Sequence, residues 1–230
     1  MPDDAASPLT VQVYLGERSY DIMIGSGLLE SLAALASGWI ERMTDGKRQS
    51  GKCLVITDRN VETPHAQTVV ASLRQSEWVC DLMVLAAGEQ TKKLSVVADV
   101  YDRLVAIRAD RQTVVIAVGG GVIGDLTGFA AATFARGVPF LQIPTTLLAH
   151  VDSSVGGKVG INHEHGKNLI GAFYQPWGVL IDTETLSTLP QREYAAGMAE
   201  VIKYGVILDP EFFEYLEQNL EGIADRRPSV

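Results

Sequence analysis

The stretch TVVIAVGGGVIGDLTGFAAATFARGVPFLQIP, Thr113 to Pro144, decides the fold. Its first six residues are an unbroken apolar run rich in β-branched side chains, the pattern of a sheet strand covered on both faces. Gly119, Gly121 and Gly124 follow in G-x-G-x-x-G spacing and open a helix from about Val122. A second nearly continuous apolar run, FLQIP (Phe140 to Pro144), supplies the next strand. Strand, glycine turn, helix and strand in that order make a βαβ crossover, which requires a parallel sheet.

The same alternation extends upstream. Strands are expected at CLVIT (Cys53 to Thr57) and DLMVLA (Asp81 to Ala86), with helices from about Pro64 and over Lys93 to Ala109. Before them, VQVYL and YDIMI flank Gly16-Glu17-Arg18-Ser19 and read as a hairpin, followed by a helix over Leu28 to Ala36. Downstream, Pro144 to Ala172 is glycine-rich and polar, about thirty residues long, and such long connectors are usually functional or disordered. After the strand GVLID (Gly178 to Asp182) the pattern turns helical, over Arg192 to Leu208 and Glu211 to Asn219. The expected architecture is therefore a Rossmann-like, mostly parallel α/β domain over residues 1–185, followed by the start of an all-α domain over residues 186–230, with the boundary within Thr183 to Pro190.

Composition narrows the partners. With 47% hydrophobic and 20% charged residues in 230, the chain is expected to bury a full core. Nineteen Lys and Arg against 28 Asp and Glu give a net charge of -9, and no basic run is interleaved with aromatics, which argues against nucleic acid as a partner. Any anionic ligand must be caught by a few local cations. Cys53 and Cys80, the only cysteines, lie in strand-like runs, as free thiols do in a reducing cytoplasm. The segment MPDDAASPLT lacks the features of an export signal, and no apolar run approaches the ~18 residues of a membrane span.

Ligands of open parallel sheets bind at the carboxyl ends of the strands. The glycine turn at 119–124 offers backbone N–H groups and a helix N-terminus to a pyrophosphate, although no acidic residue ends a strand about 20 residues later, as dinucleotide folds usually require. Asp58 and Asn60 follow one strand, and Gly88-Glu89-Gln90-Thr91-Lys92 follows another. Each alone reads as a helix cap, but three strand ends in register point to a ligand. Asp152, Lys158, Lys167 and Asn168 share the glycine-rich segment, where lysines beside bare backbone suit a phosphorylated or carboxylated ligand. Glu200 and Lys203 fall i, i+3 on a helix expected to be largely buried, either as an ion pair or as a metal ligand beside an anion contact. His65, His150, His163 and His165 show no zinc spacing; His163 and His165 read as loop residues.

GGGVIGDLTGFAAATFARGVPFLQIPTTLLAHVDSSVGGKVGINHEHGKNLIGAFYQP, with GEQTKK before it and LPQREYAAGMAEVIKYG after it, closely resembles the 3-dehydroquinate synthase family from about Val11 onward. The resemblance implies an NAD-binding α/β domain, a helical domain, and a cleft between them that converts the sugar acid phosphate DAHP into 3-dehydroquinate and phosphate. It implies NAD contacts from Asp58, Asn60, Glu89, Lys92, Gly120, Gly121, Asp125, Thr145, Thr146, Lys158, Lys167, Thr185 and Thr188. Arg136, Asp152, Lys158, Asn168 and Lys203 would hold substrate, and Glu200 would be the first of three ligands to zinc or cobalt. The other two, histidines in the family, are expected beyond Val230, so residues 1–230 alone are expected to bind NAD with little or no turnover. His150 stands where the family has Gln, and Val159 where it has Thr. A homodimer is the implied assembly of the whole protein. Other readings are a related sugar phosphate cyclase and a non-catalytic NAD-binding module.

Overall fold

The computed structural model describes residues 8–44 and 51–227. Nine strands and seven α-helices are formed among them: β1 (Leu9–Val13), β2 (Tyr20–Gly25), α1 (Leu32–Met43), β3 (Lys52–Asp58), α2 (Gln67–Gln75), β4 (Val79–Leu85), α3 (Leu94–Ala106), β5 (Val114–Gly119), α4 (Gly121–Thr133), β6 (Phe140–Pro144), β7 (Lys158–His163), β8 (Gly166–Phe173), β9 (Gly178–Asp182), α5 (Gln191–Leu208), α6 (Pro210–Gln218) and α7 (Leu220–Ala224). Seven strands make one sheet in the order β1-β2-β9-β6-β5-β3-β4, in which only β1 and β2 pair antiparallel. The expected mostly parallel α/β sheet is present.

Period-two alternation assigns the two faces. Cys53, Val55, Val114, Ile116 and Val118 pack under α1 and α2 with Leu32, Trp39, Ile40, Val69 and Leu73. Leu54, Ile56, Val115 and Ala117 face the other way, onto Val97, Val100 and Leu104 of α3 and Ile123, Leu126 and Ala130 of α4. Every residue of β5, β6 and β9 is buried, which explains their unbroken apolar runs. The chain leaves β3 for β4 on one side, then crosses through α3 to β5 on the other. The strand order thus reverses between β3 and β5, and their carboxyl ends splay apart to leave a crevice there.

The glycine-rich segment is not a plain loop. After a helical turn at Ala149–Ser153 it forms an antiparallel hairpin, β7 with β8, bulged between Ile161 and His163. Val159 and Ile161 alternate inward onto α4. The glycines that disguised these strands are there for contact: a Cβ on Gly160 would come 2.7 Å from Ile170 O, and one on Gly171 2.5 Å from Val159 O.

The helical end also departs from expectation. α5 docks through Gly197, where a Cβ would come 2.6 Å from Leu147 Cβ, and through Tyr194 beside Leu189. It is not largely buried, since Ile202, Val206, Ile207 and Leu208 are all exposed. No helix among the described residues is long and apolar enough to cross a membrane.

Ile116, fully buried on the interior strand β5, anchors the face under α1 and α2. Ile116→Ala should cost about 2–5 kcal/mol in urea unfolding, through lost transfer energy and the cavity left behind. A loss under about 1 kcal/mol would mean that this face is loosely packed.

Candidate active site

The crevice between β3 and β5 collects the residues at the strand ends. Asp58 closes β3 and turns its carboxylate back to accept the Asn60 amide at 2.8 Å. β5 runs into Gly120, where α4 begins without a side-chain cap. Its first N–H groups therefore have no partner within the helix and none from a capping side chain. The approach to this turn is tight. A Cβ on Gly120 would come 2.9 Å from Thr146 Cγ2, and one on Gly121 2.9 Å from Ser153 Oγ. Gly124 lies under β6, with Gln142 Nε2 2.4 Å from where its Cβ would be, so the third glycine of the motif serves helix–strand packing. Thr145 Oγ1 and Ser153 Oγ are buried without a hydrogen-bond partner. Uncapped N–H groups, bare glycine backbone, unused hydroxyls and a carboxylate on the neighbouring strand suit a dinucleotide, with phosphate at the helix N-terminus and ribose toward Asp58.

A polar network leads away from that crevice. Lys92, 4% exposed, donates from Nζ to Asp125 of α4 and, at 2.6 Å, to Asn168 Oδ1 of β8. Its carbonyl accepts the Asn162 amide at 2.8 Å. Asn162 uses both ends of its side chain: Nδ2 donates to Glu89 Oε1 at 2.8 Å, and Oδ1 accepts the Asn168 amide at 2.9 Å. Asn168 is thereby held at φ 56°, a left-handed conformation that asparagine tolerates. Burial holds the Asp125 carboxyl above the usual carboxylate range, against the opposing pull of the Lys92 ammonium.

Beside the network lies a cavity of about 540 Å³, lined by Asp125, Asp152, Ser153, Lys158, Asn168 and the apolar Phe173, among others. Asp152, Lys158 and Asn168 thus meet on one lining. Arg136 does not join them: it is exposed beyond the far end of α4, roughly 18 Å along the helix from Gly121 at 1.5 Å per residue. Lys167 is exposed on β8 outside the lining. Glu200 and Lys203 form an ion pair with each other on α5, near enough to Asp152 for its charge to raise the Lys203 pKa further. Among the described residues no three His, Cys, Asp or Glu side chains are grouped to hold a metal. Glu200 is thus a single candidate ligand among the described residues.

Thr185 and Thr188 lie in the helical turn after β9, Thr183–Thr188. Thr185 has no exposed surface; its hydroxyl donates to Asp182 O at 2.7 Å and lies 3.3 Å from His150 Nε2. His150 Nε2 also lies 3.0 Å from Pro144 O, at the end of β6. Thr188 donates to Thr185 O and meets His65 Nε2 at 2.7 Å. Asp182 is buried and accepts the amides of Gly27, Leu29 and Glu184, each at 3.0 Å. Asn162 and Ser153 were not singled out from the sequence. An isolated asparagine or serine in a polar stretch carries no signal until the hairpin is folded.

Residues 82–196, half of the chain, match the family model described as 3-dehydroquinate synthase N-terminal. The chain belongs to the 3-dehydroquinate synthase family. It is 53% identical over 219 residues to 3-dehydroquinate synthase of Pelobacter propionicus, covering 95% of this chain and 58% of that protein. The chain spans about half the length of the curated relatives that it matches, 49–59%. Among solved structures it resembles 2-epi-5-epi-valiolone synthase from Streptomyces hygroscopicus subsp. jinggangensis with bound NAD+ and Zn2+, at a TM-score of 0.80 and 31% identity over 94% of this chain and 57% of that one. It also resembles 2-deoxy-scyllo-inosose synthase complexed with carbaglucose-6-phosphate, NAD+ and Co2+, at a TM-score of 0.78 and 32% identity over 87% of this chain and 52% of that one.

Two consequences can be measured. Lys92→Met would leave Asp125 ionised, largely buried and without its cation, at a cost of about 3 kcal/mol at pH 7. The penalty belongs to the ionised carboxylate, so it is complete above the raised pKa, shrinks as pH falls from there toward the usual carboxylate value, and is gone below it; a pH-independent loss would assign Lys92 a packing role only. His150, buried, has its pKa lowered from an ordinary 6.5 to about 4 by desolvation, against the opposing hydrogen bond to Pro144 O and the charge of Asp182. Its neutral ring supports the fold fully above pH 6.5, and that support is lost as pH falls toward 4. His150→Gln keeps a donor for Pro144 O and removes the titration. The wild type should therefore lose on the order of 3 kcal/mol against this variant between pH 7 and pH 4; parallel profiles would show that the ring is not buried and neutral.

Proposed function

We propose that this chain supplies the NAD-binding part and one wall of the active site of a 3-dehydroquinate synthase, which converts DAHP into 3-dehydroquinate and inorganic phosphate. The observation that carries this reading is the continuous network Glu89–Asn162–Asn168–Lys92–Asp125, which joins the strand ends to the cavity lined by Asp152 and Lys158. Cofactor and substrate would then lie on either side of one rigid set of hydrogen bonds.

NAD, when bound, would accept a hydride from the carbon that bears a substrate hydroxyl, as that hydroxyl loses its proton, and would later return it. Gly120, Gly121, Thr145 and Thr146 would take its phosphates, Asp58, Asn60 and Glu89 its ribose and amide groups, and Lys92, Asp125, Lys158 and Lys167 the nicotinamide side. Thr185 and Thr188 would brace that pocket from behind. Oxidation would acidify the neighbouring C–H, phosphate would be eliminated, the ketone would be reduced again, and the ring would then open and close again in an aldol step. Within that sequence Lys158 and Lys203 would pair with the substrate's carboxylate and phosphate, while Asp152 and Asn168 hold its hydroxyls in one orientation. Glu200 would contribute one ligand to a zinc or cobalt site whose other two ligands lie outside the described residues. The chain on its own would then bind NAD with little or no turnover. A cytoplasmic homodimer is the assembly that we propose for the whole protein.

Relatives at about 50% identity named 3-dehydroquinate synthase favour this reaction over the cyclisations named for the structural neighbours, which are 31–32% identical. Calorimetric titration with NAD tests the cofactor half. Asp58→Ala should weaken binding roughly tenfold, as loss of a charge-assisted hydrogen bond does, and Gly121→Val should abolish it, while Asp152→Asn leaves it unchanged. In the complete enzyme Asp152→Asn should lower the rate of phosphate release from DAHP about 100-fold. NAD affinity unchanged in both Asp58→Ala and Gly121→Val would overturn the placement of the cofactor.

A further inference from the structure

Cys53 and Cys80 take no part in the site just described. They are the second residues of β3 and β4, and they oppose each other in the parallel register of those strands. Paired Cα atoms on neighbouring strands lie about 4.8 Å apart, within the roughly 4.4–6.8 Å that a disulfide spans. Both side chains leave the sheet on the face covered by α2, where Cys80 packs against the cluster containing Cys53, Leu73 and Trp78. Their exposures differ in a useful way. Cys53 is fully buried, whereas Cys80 lies on the edge strand and is partly open to solvent.

The surroundings favour a thiolate at Cys80. The thiols interact directly, and that contact lowers the pKa of Cys80 from its ordinary value while raising that of Cys53. The Arg74 guanidinium, which donates to Cys80 O at 3.1 Å, adds positive potential at the same sulfur. One accessible, activated thiol beside one buried thiol is the arrangement of an attacking and a resolving cysteine.

We propose that Cys53 and Cys80 are an oxidisable dithiol that closes to a disulfide on reaction with a hydroperoxide. The Cys80 thiolate attacks the terminal peroxide oxygen, the O–O bond breaks, and the alkoxide or hydroxide leaves with a proton as alcohol or water. The resulting Cys80 sulfenic acid is attacked by the Cys53 sulfur. The S–S bond forms, the S–O bond breaks, and the departing hydroxide takes the Cys53 proton as water. Two thiols supply the two electrons that reduce the peroxide. The new bond ties the edge strand β4 to β3 and encloses α2. It lies five residues before Asp58, roughly 17 Å along the strand, so the strand ends that face the cofactor are unchanged.

The experiment is stoichiometric hydrogen peroxide added to the reduced full chain, followed by alkylation of remaining thiols, digestion without reductant and mass mapping. Expected is one Cys53–Cys80 linked peptide pair lacking two hydrogens, with the protein still monomeric in this link, a thermal midpoint raised by several degrees and reversed by dithiothreitol, and NAD affinity within twofold of the reduced protein. Cys53→Ser should stop at a Cys80 sulfenic acid trapped by dimedone, and Cys80→Ser should consume no peroxide. Should either variant fail to fold, phenylarsine oxide titrated against the wild type serves in its place: one arsenical bound across both thiols is expected, and none would refute their proximity. Two alkylated thiols after peroxide exposure, or Cys80 sulfinic acid without the link, would overturn the proposal. Loss of NAD binding on oxidation would contradict the remoteness of the pair, and it leaves the cofactor reading to be judged by the reduced protein.

Discussion

Most of the site depends on one buried cation. The Lys92 ammonium lies between Asp125 at the start of α4 and Asn168 on β8, with almost no solvent to share its charge. An ammonium so placed is costly unless both acceptors stay in position, and each acceptor is costly without it. The segment after β4, the glycine helix after β5 and the distal hairpin are therefore held as one unit. Asn162 closes the same unit a second time, linking Glu89 to the Asn168 backbone. What joins these three elements is polar and directional, which is why their relative geometry is narrow where an apolar contact would allow drift.

That unit stands at the point where the sheet reverses its winding. Strands β3 and β5 are neighbours whose connections run to opposite sides, so no crossover covers the gap between their ends. The glycines after β5 let Thr146 and Ser153 approach the open N-terminus of α4, and the hairpin β7–β8 rests on α4 where Gly128 leaves room for Val159. A crevice formed by topology thus acquires a wall that the α/β unit does not itself possess.

A second buried hub ties the helical end to the sheet. His150 spans Pro144 O at the end of β6 and the Thr185 hydroxyl in the turn after β9, while Asp182 gathers three backbone amides around that turn. Arg226 then folds back from beyond α7 to lie over the Tyr194 ring and to donate to Leu189 O at 2.7 Å. The helices are therefore seated by polar anchors at their base. The outer face of α5, with Val206, Ile207 and Leu208, stays exposed.

Sequence alone determined the parallel core, because strands buried on both faces leave unbroken runs such as TVVIAV, and burial is a local demand that every residue must meet by itself. It also determined which strand ends are polar or glycine-rich, with Asp58, Glu89 and Gly121 each legible from its place after an apolar run. The hairpin β7–β8 was hidden, since its glycines depress strand propensity and are required only by the close approach of the opposite strand. Tertiary structure alone decided that Lys92 serves Asn168 and Asp125, that Asn162 bridges them, that Thr185 meets His150 in the interior, and that Arg136 is not among the residues lining the cavity. Those are relations between residues dozens of positions apart, set by strand order and helix docking, and no local pattern encodes a distance across the fold.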